Sequence, residues 1–201
     1  MWVGVAYEHI IALQNKILER YAIHKRDLPW RDTADPYYVL VSEIMLQQTQ
    51  VDRVVPKFEA FVEALPTFAA LAEAPKDRLL SLWSGLGFNS RVLRLQRCAQ
   101  EIVSAHNGVL PRRRELLLTL PGIGPYTSCS LLAFAYNMPV PVIDTNVRRV
   151  YIVELGLPEE ISLKDLEEIA LAVIPEWRAN DRYNAVMDYG ALVLTEKKTW
   201  V

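Results

Sequence analysis

Only two cysteines, Cys98 and Cys129, occur in the 201 residues. That is too few for a disulfide framework, and both fall inside helical patterns, so they read as buried thiols rather than as a disulfide or a metal site. No apolar run approaches the roughly 20 residues that span a bilayer, although 51% of the chain is hydrophobic. The stretch from Met1 to His9 lacks the basic n-region of a secretory signal and leads straight into an amphipathic pattern. The expected setting is therefore cytoplasmic, with no membrane partner. Positive charge is not in excess either: 22 Lys and Arg stand against 24 Asp and Glu, a net −2. Any face for a polyanion must then be a local patch, for which Arg91, Arg94 and Arg97, Arg112 to Arg114, Arg148 with Arg149, and Lys197 with Lys198 are candidates. Each also reads as an ordinary solvated face.

Strand alternation, repeats and low-complexity tracts are absent too, and the periodicity is helical nearly throughout. Residues 5–23 carry a broad apolar stripe through Ile10, Leu13 and Ile17. Asp35 reads as an N-cap with Pro36 at the first helical position, opening a helix that runs to Leu46. Further helices are predicted over 51–64, 67–73, 76–84, 89–106, 113–119, 126–136, 145–155, 162–174 and 180–195. Proline and glycine mark the short connections between them. The expected fold is all-α.

The segment Leu120-Pro121-Gly122-Ile123-Gly124-Pro125-Tyr126-Thr127 carries the sharpest signal. Gly122 and Gly124, lacking Cβ atoms, can take φ > 0 and bring bare N–H groups close to a partner's backbone. Such groups at a helix N-terminus bind anions, a nucleic-acid phosphate among them. Asp144 follows in Val142-Ile143-Asp144-Thr145-Asn146-Val147, where a second helix would begin, in the N-cap position. A glycine turn and an ordinary cap would look the same taken singly; the joint occurrence is what points to chemistry.

Glu43 lies in a helix whose neighbours Val39, Leu40, Val41, Ile44, Met45 and Leu46 are apolar on nearly all sides. It reads either as a residue on the one polar stripe, with Ser42, or as a carboxyl raised in pKa by desolvation so that it can act as a general acid. The run Gln47-Gln48-Thr49-Gln50 that follows is better suited to base or sugar edges than to a core.

The segment Ser42–Val51, together with Asp27-Leu28-Pro29-Trp30-Arg31, Leu82–Arg91, the glycine hairpin, Asp144 and Tyr183–Leu192, resembles the helix-hairpin-helix DNA glycosylases and among them the MutY-type adenine glycosylases. The likeness spans roughly residues 8–196, in order. It implies two helical subdomains with a cleft between them, 25–137 with the hairpin and 1–24 plus 138–201 with the catalytic Asp. It also implies that the enzyme flips a base out of the duplex. Glu43 would protonate adenine, at N7, and Asp144 would answer the positive charge that grows on the sugar as the glycosidic bond breaks. An N-cap carboxylate held ionised by backbone N–H bonds and the helix dipole suits the second task. Whether Asp144 stabilises the cation or forms a covalent adduct stays open. Tyr126 and Asn146 resemble residues that orient this site.

Endonuclease III-like relatives, which also cut the strand, carry a lysine directly before the hairpin threonine; Tyr126 stands there, which implies a monofunctional enzyme. The resemblance places Arg26, Leu28, Trp30, Leu46, Val51 and Asp188 around the base. It places Gln47, Gln48, Thr49, Leu86, Phe88, Arg91, Gly122, Ile123, Gly124 and Tyr126 against DNA, with Gln48 and Phe88 as the wedge. Most relatives have four cysteines that bind an iron–sulfur cluster after the segment matching Gly190-Ala191-Leu192. Leu194 stands at the first of these, so no cluster is expected and apolar packing, with Trp200, would hold the second subdomain. A monovalent cation at the hairpin carbonyls is the one ion the resemblance leaves room for. The C-terminal domain that reads 8-oxoguanine in full-length relatives is not expected. The implied partner is double-stranded DNA containing a mismatch or lesion, bound by a monomer.

Three functions follow. The first is an adenine-removing mismatch glycosylase acting opposite guanine or 8-oxoguanine, favoured by Gln47-Gln48. The second is a glycosylase for thymine or uracil opposite guanine, or for a damaged purine. The third is an inactive DNA-structure-binding protein, against which the joint presence of Glu43, Tyr126, Asp144 and Asn146 argues.

Overall fold

The computed structural model describes residues 6–31, 33–173 and 179–196. Among them every regular element is a helix: α1 Tyr7–His24, α2 Pro36–Leu46, α3 Val51–Ala64, α4 Phe68–Glu73, α5 Lys76–Trp83, α6 Ser90–Ala105, α7 Arg114–Leu117, α8 Pro125–Tyr136, α9 Thr145–Leu155, α10 Leu163–Val173 and α11 Ala179–Glu196. No helix is long and apolar enough among the described residues to cross a membrane. Lys197, Lys198, Trp200 and the side chain of Leu194 lie outside the described residues.

Local chemistry sets the helix ends where the sequence suggests. The Asp35 carboxylate accepts from Tyr37 N–H at 2.8 Å with Pro36 in the first turn. Thr67 accepts from Ala70 N–H at 3.1 Å, and Gly156 closes α9 in the left-handed conformation, φ 64°. Caps of these kinds satisfy donors and acceptors that a helix end leaves open. One expectation fails. The helix foreseen over 113–119 is a single turn, α7, after which the N–H groups of Thr119 and Leu120 bond back three residues to Leu116 and Leu117. Pro121 forces this tightening, because the residue before a proline avoids the α region.

The chain divides into two compact units, Leu28–Tyr136 and Met1–Asp27 with Asn137–Val201. In the continuous unit α2 packs on α3, α6 and α8, and α4 lies along α6. Leu40, Val41, Met45, Phe58, Phe61 and Trp83 fill its core. Cys98 and Cys129 are both buried and not joined in a disulfide, and burial pushes the Cys98 thiol up to about 12. In the discontinuous unit α11 packs on α1 and α9. Lys16 on α1 pairs with Glu154 on α9, whose other oxygen accepts from the Tyr189 hydroxyl on α11 at 2.8 Å.

Candidate active site and nucleic-acid interface

In the discontinuous unit, Asp144 caps α9. One carboxylate oxygen accepts from Val147 N–H at 2.6 Å, the other from the Asn146 side-chain amide at 3.3 Å. The Asn146 amide is oriented in turn: its oxygen accepts from Arg149 Nη2 at 3.1 Å, and the same nitrogen donates to the Gly190 carbonyl on α11. The approach to the cap is pinned by Tyr183, fully buried on α11, whose hydroxyl donates to Val140 C=O at 2.7 Å and accepts from Val142 N–H at 2.8 Å. A carboxylate with this many donors ought to be strongly acidic. Burial outweighs them: the Asp144 pKa is raised, the Val147 and Asn146 hydrogen bonds and the Arg149 charge only pulling it part of the way back. The cap therefore does less than expected to hold Asp144 ionised, because desolvation is the larger effect.

Arg148 and Arg149 correct a second expectation. Read as a basic patch, they are spent internally: Arg148 on the carbonyls of Glu159 and Ile161, Arg149 on Asn146 and Gly190. Arg26 and Asp188, expected to share a base edge, bond each other. Arg26 Nε donates to Asp188 at 2.6 Å and the Arg26 N–H at 3.0 Å, with the Asp188 side chain 5% exposed against 27% for Arg26. Asp188 is thus an anchor, and Arg26 keeps the part that solvent reaches.

In the continuous unit, Glu43 is half-buried on α2. Ser42 beside it is buried, its hydroxyl donating to Val39 C=O at 2.9 Å, so no exposed polar stripe runs through Ser42 and that alternative for Glu43 loses its support. Leu28 and Trp30 are buried, Trp30 edge-on to Phe58 with ring centroids 5.2 Å apart. Leu46 and Val51 keep partial exposure at the facing ends of α2 and α3.

Of the two glycines expected to use positive φ in the hairpin between α7 and α8, only Gly122 does so, at 85°; Gly124, just before α8, does not. A Cβ on Gly122 would lie 3.3 Å from the Arg94 Cβ, so the stem of that exposed arginine runs beside the turn. Ile123 departs from expectation: its side chain is buried and its N–H donates to Leu120 C=O at 3.2 Å. The N–H groups of Gly122 and Gly124 have no partner among the described residues. Tyr126 is exposed in the first turn of α8.

Gln48 and Phe88 are exposed, and both have non-glycine backbones in the left-handed region, φ 55° and 47°. Thr49 lies between them, its hydroxyl 3.4 Å from Leu86 C=O. Arg91 and Leu86, expected at the DNA, are both buried. The Arg91 guanidinium is surrounded by carbonyl oxygens, and its role is internal. Arg94, Arg97 and Arg112 to Arg114 remain exposed, with Arg113 3.6 Å from the Glu115 carboxylate. Sequence reasoning gave no role to Tyr183 and did not foresee the partners of Arg91 and Arg149; each of the three bonds a backbone group more than 40 positions away, which no local pattern reports.

The model of the HhH-GPD superfamily base excision DNA repair proteins matches residues 41–176. The chain is similar to the adenine DNA glycosylase of Mycolicibacterium smegmatis, 42% identical over 185 residues covering 90% of this chain and 63% of that protein. It is also similar to the adenine DNA glycosylase of Mycobacterium tuberculosis, 39% identical over 189 residues, 90% of this chain and 61% of that one. The chain thus spans about three-fifths of the length of these curated relatives. Among solved structures, a thermostable thymine-DNA glycosylase superposes with a TM-score of 0.84 at 27% identity, covering 93% of this chain and 88% of its own. The chain belongs to the HhH-GPD superfamily of base excision DNA repair proteins.

Proposed function

We propose that the protein is a monofunctional DNA glycosylase that removes adenine mispaired with guanine or 8-oxoguanine. The observation that carries this is the Arg149–Asn146–Asp144 chain: an oriented carboxylate at a helix N-cap with no structural need for so much support. Asp144, ionised, answers the positive charge that develops on the sugar as the bond to the base breaks. Glu43 supplies the proton that turns adenine into a leaving group. Carboxyls with opposite protonation requirements are the general logic of glycosidic cleavage. Tyr126 is a phenol where a strand-cutting relative carries an amine, so water completes the reaction and an abasic site is the product.

Duplex DNA is the partner in this reading. Exposed Arg94, Arg97 and Arg112 to Arg114 supply charge, the Gly122–Gly124 turn supplies N–H groups for a phosphate, and Gln48 with Phe88 enters the stack. The protein acts as a monomer in the cytoplasm. The 201 residues carry two cysteines, both buried in the unit that lacks Asp144, so the reading includes no iron–sulfur cluster.

A second reading, removal of thymine or uracil opposite guanine, has the 27% likeness to the thymine-DNA glycosylase in its favour. The adenine relatives at 42% and 39% outweigh it. One single-turnover panel separates the two. Duplexes with A opposite 8-oxoguanine, G, C and T, and with T or U opposite G, are incubated and treated with alkali to reveal abasic sites. A opposite G and opposite 8-oxoguanine should react within about tenfold of each other, since one hydrogen bond to the lesion is worth only several-fold, and A opposite T should not react. Activity confined to T or U opposite G would transfer the protein to the second reading, and no activity on any duplex would leave an inactive DNA-binding protein.

A further inference from the structure

Arg91, at the start of α6, has a guanidinium with six oxygen partners divided between the C-terminal end of α2 with the loop that follows it and the loop between α5 and α6. Nη1 donates to the carbonyls of Ile44 at 2.9 Å, Met45 at 3.0 Å and Gln47. Nη2 faces Leu86 C=O at 2.8 Å, Gly87 C=O at 3.2 Å and the Thr49 hydroxyl at 3.1 Å. The division has a geometric meaning. Gln47 C=O belongs to the peptide that leads into Gln48, and Gly87 C=O to the peptide that leads into Phe88. These are two of the four exposed non-glycine residues whose backbones sit at positive φ, the others being Asn107 and Asn137 at helix ends elsewhere. Side chains other than glycine stay in that region only where the surroundings hold them there. The guanidinium also lies 5.7 Å from the Phe88 ring centroid and 5.4 Å from that of Trp83, while the Trp83 indole N–H donates to Gly87 C=O at 3.1 Å.

We propose that Arg91 is the positioning residue for base extrusion, holding the 47–49 and 86–88 loops in one fixed spacing so that Gln48 and Phe88 enter the duplex as a single wedge. The proposal rests on the glycosylase reading and adds to it a residue that itself meets neither DNA nor base. A planar fork is what the arrangement requires. Lysine would keep the charge but is a single point donor and cannot serve both loops. The six acceptors serve Nη1 and Nη2, while Nε is buried without a partner among the described residues. They offset much of the cost of burying a cation that is 6% exposed, and three of them belong to the α2 end, where the helix dipole favours positive charge.

The test compares unaltered protein with Arg91→Lys on two pairs of substrates, each read for excision and for insertion. Excision is measured on adenine opposite guanine in a duplex and on adenine in a single strand, where no partner or stack has to be broken. Insertion is read from the fluorescence of 2-aminopurine placed next to an A·G and next to a T·G mispair, which reports unstacking whichever base is removed. Arg91→Lys should lose about 10- to 100-fold in duplex excision, the scale of one or two charge-assisted hydrogen bonds. Its single-strand rate and its thermal midpoint should stay within about threefold and a few degrees, and the 2-aminopurine signal should fall at equal duplex affinity. Thr49→Val, which removes one bridging oxygen and keeps the shape, should show the same pattern several-fold weaker and carries the test if Arg91→Lys does not fold. Equal losses on duplex and single strand, or an unchanged 2-aminopurine signal, would overturn the proposal. Failure of the unaltered protein to excise adenine from any substrate would instead overturn the adenine reading, and the 2-aminopurine arm would still decide the role of Arg91.

Discussion

Gly190 on α11 lies so close to Asn146 on α9 that a Cβ at residue 190 would come within 3.0 Å of the Asn146 Cβ and 3.2 Å of its carbonyl oxygen. The same glycine's carbonyl accepts from Arg149. One backbone position on α11 therefore sets both the distance to the residue that orients Asp144 and the anchor of the arginine that orients that residue. Gly190→Ala should push α9 from α11 and cost about 1–3 kcal/mol of stability, the usual range for overpacking. Its single-turnover rate should fall by more than the fraction unfolded explains. Thermal denaturation and active-site titration on the same preparation check this; a normal rate per folded molecule would contradict it.

Asp144→Asn separates activity from stability. The rate should drop at least about 100-fold, the lower end for a catalytic carboxyl, while duplex binding changes far less. Stability should move the other way. The folded pKa is raised by burial, so the folded state holds its proton more tightly than the unfolded chain. The stabilisation from that proton is complete below the ordinary carboxylate value of 3.8 and disappears as pH rises through the folded pKa. At neutral pH the buried charge is a cost that asparagine, an equally good N-cap, does not carry. Urea unfolding at neutral pH should find the variant at least as stable as the unaltered protein.

Arg149→Met should alter the pH profile. In the proposed mechanism excision requires ionised Asp144, so the rate should fall as pH drops through its raised pKa. Arg149 lowers that pKa by its charge and holds the Asn146 amide toward the carboxylate. Without it the acid limb should move to higher pH. A profile that merely scales down, with the limb in place, would make Arg149 a packing residue only.

Product chemistry tests Tyr126. Strand breaks should appear only after alkali or heat, and borohydride should trap no covalent protein–DNA complex, because no amine occupies the hairpin position. Efficient trapping would identify another amine as the nucleophile.

Much of this was legible in the sequence, for reasons that differ from residue to residue. Asp35 and Asp144 announce helix starts because capping is local chemistry, complete within three residues. The Gly122 turn is legible for the same reason. Arg91, Arg149 and Asp188 were not, because the sequence shows their charge and hides the partner: Ile44 lies 47 positions from Arg91, Gly190 41 from Arg149, and Arg26 162 from Asp188. A charged residue whose counterpart is a distant carbonyl looks like surface until the fold is known. The raised pKa of Asp144 was hidden likewise, since desolvation is supplied by whatever packs around the cap.

The unit that holds Asp144 is assembled from both ends of the chain, with α1 before the continuous unit and α9 to α11 after it. During synthesis Leu28–Tyr136 emerges whole and can close its core at once, whereas α1 leaves the ribosome with none of its helical partners yet made. Its apolar face, Ile10, Leu13 and Ile17, has to wait through more than a hundred residues of translation for α9 and α11. The carboxylate in that unit is therefore installed late. A stalled or prematurely ended chain would carry a finished hairpin and Glu43 without Asp144, so under the proposed mechanism it would hold one of the two carboxyls and lack the other.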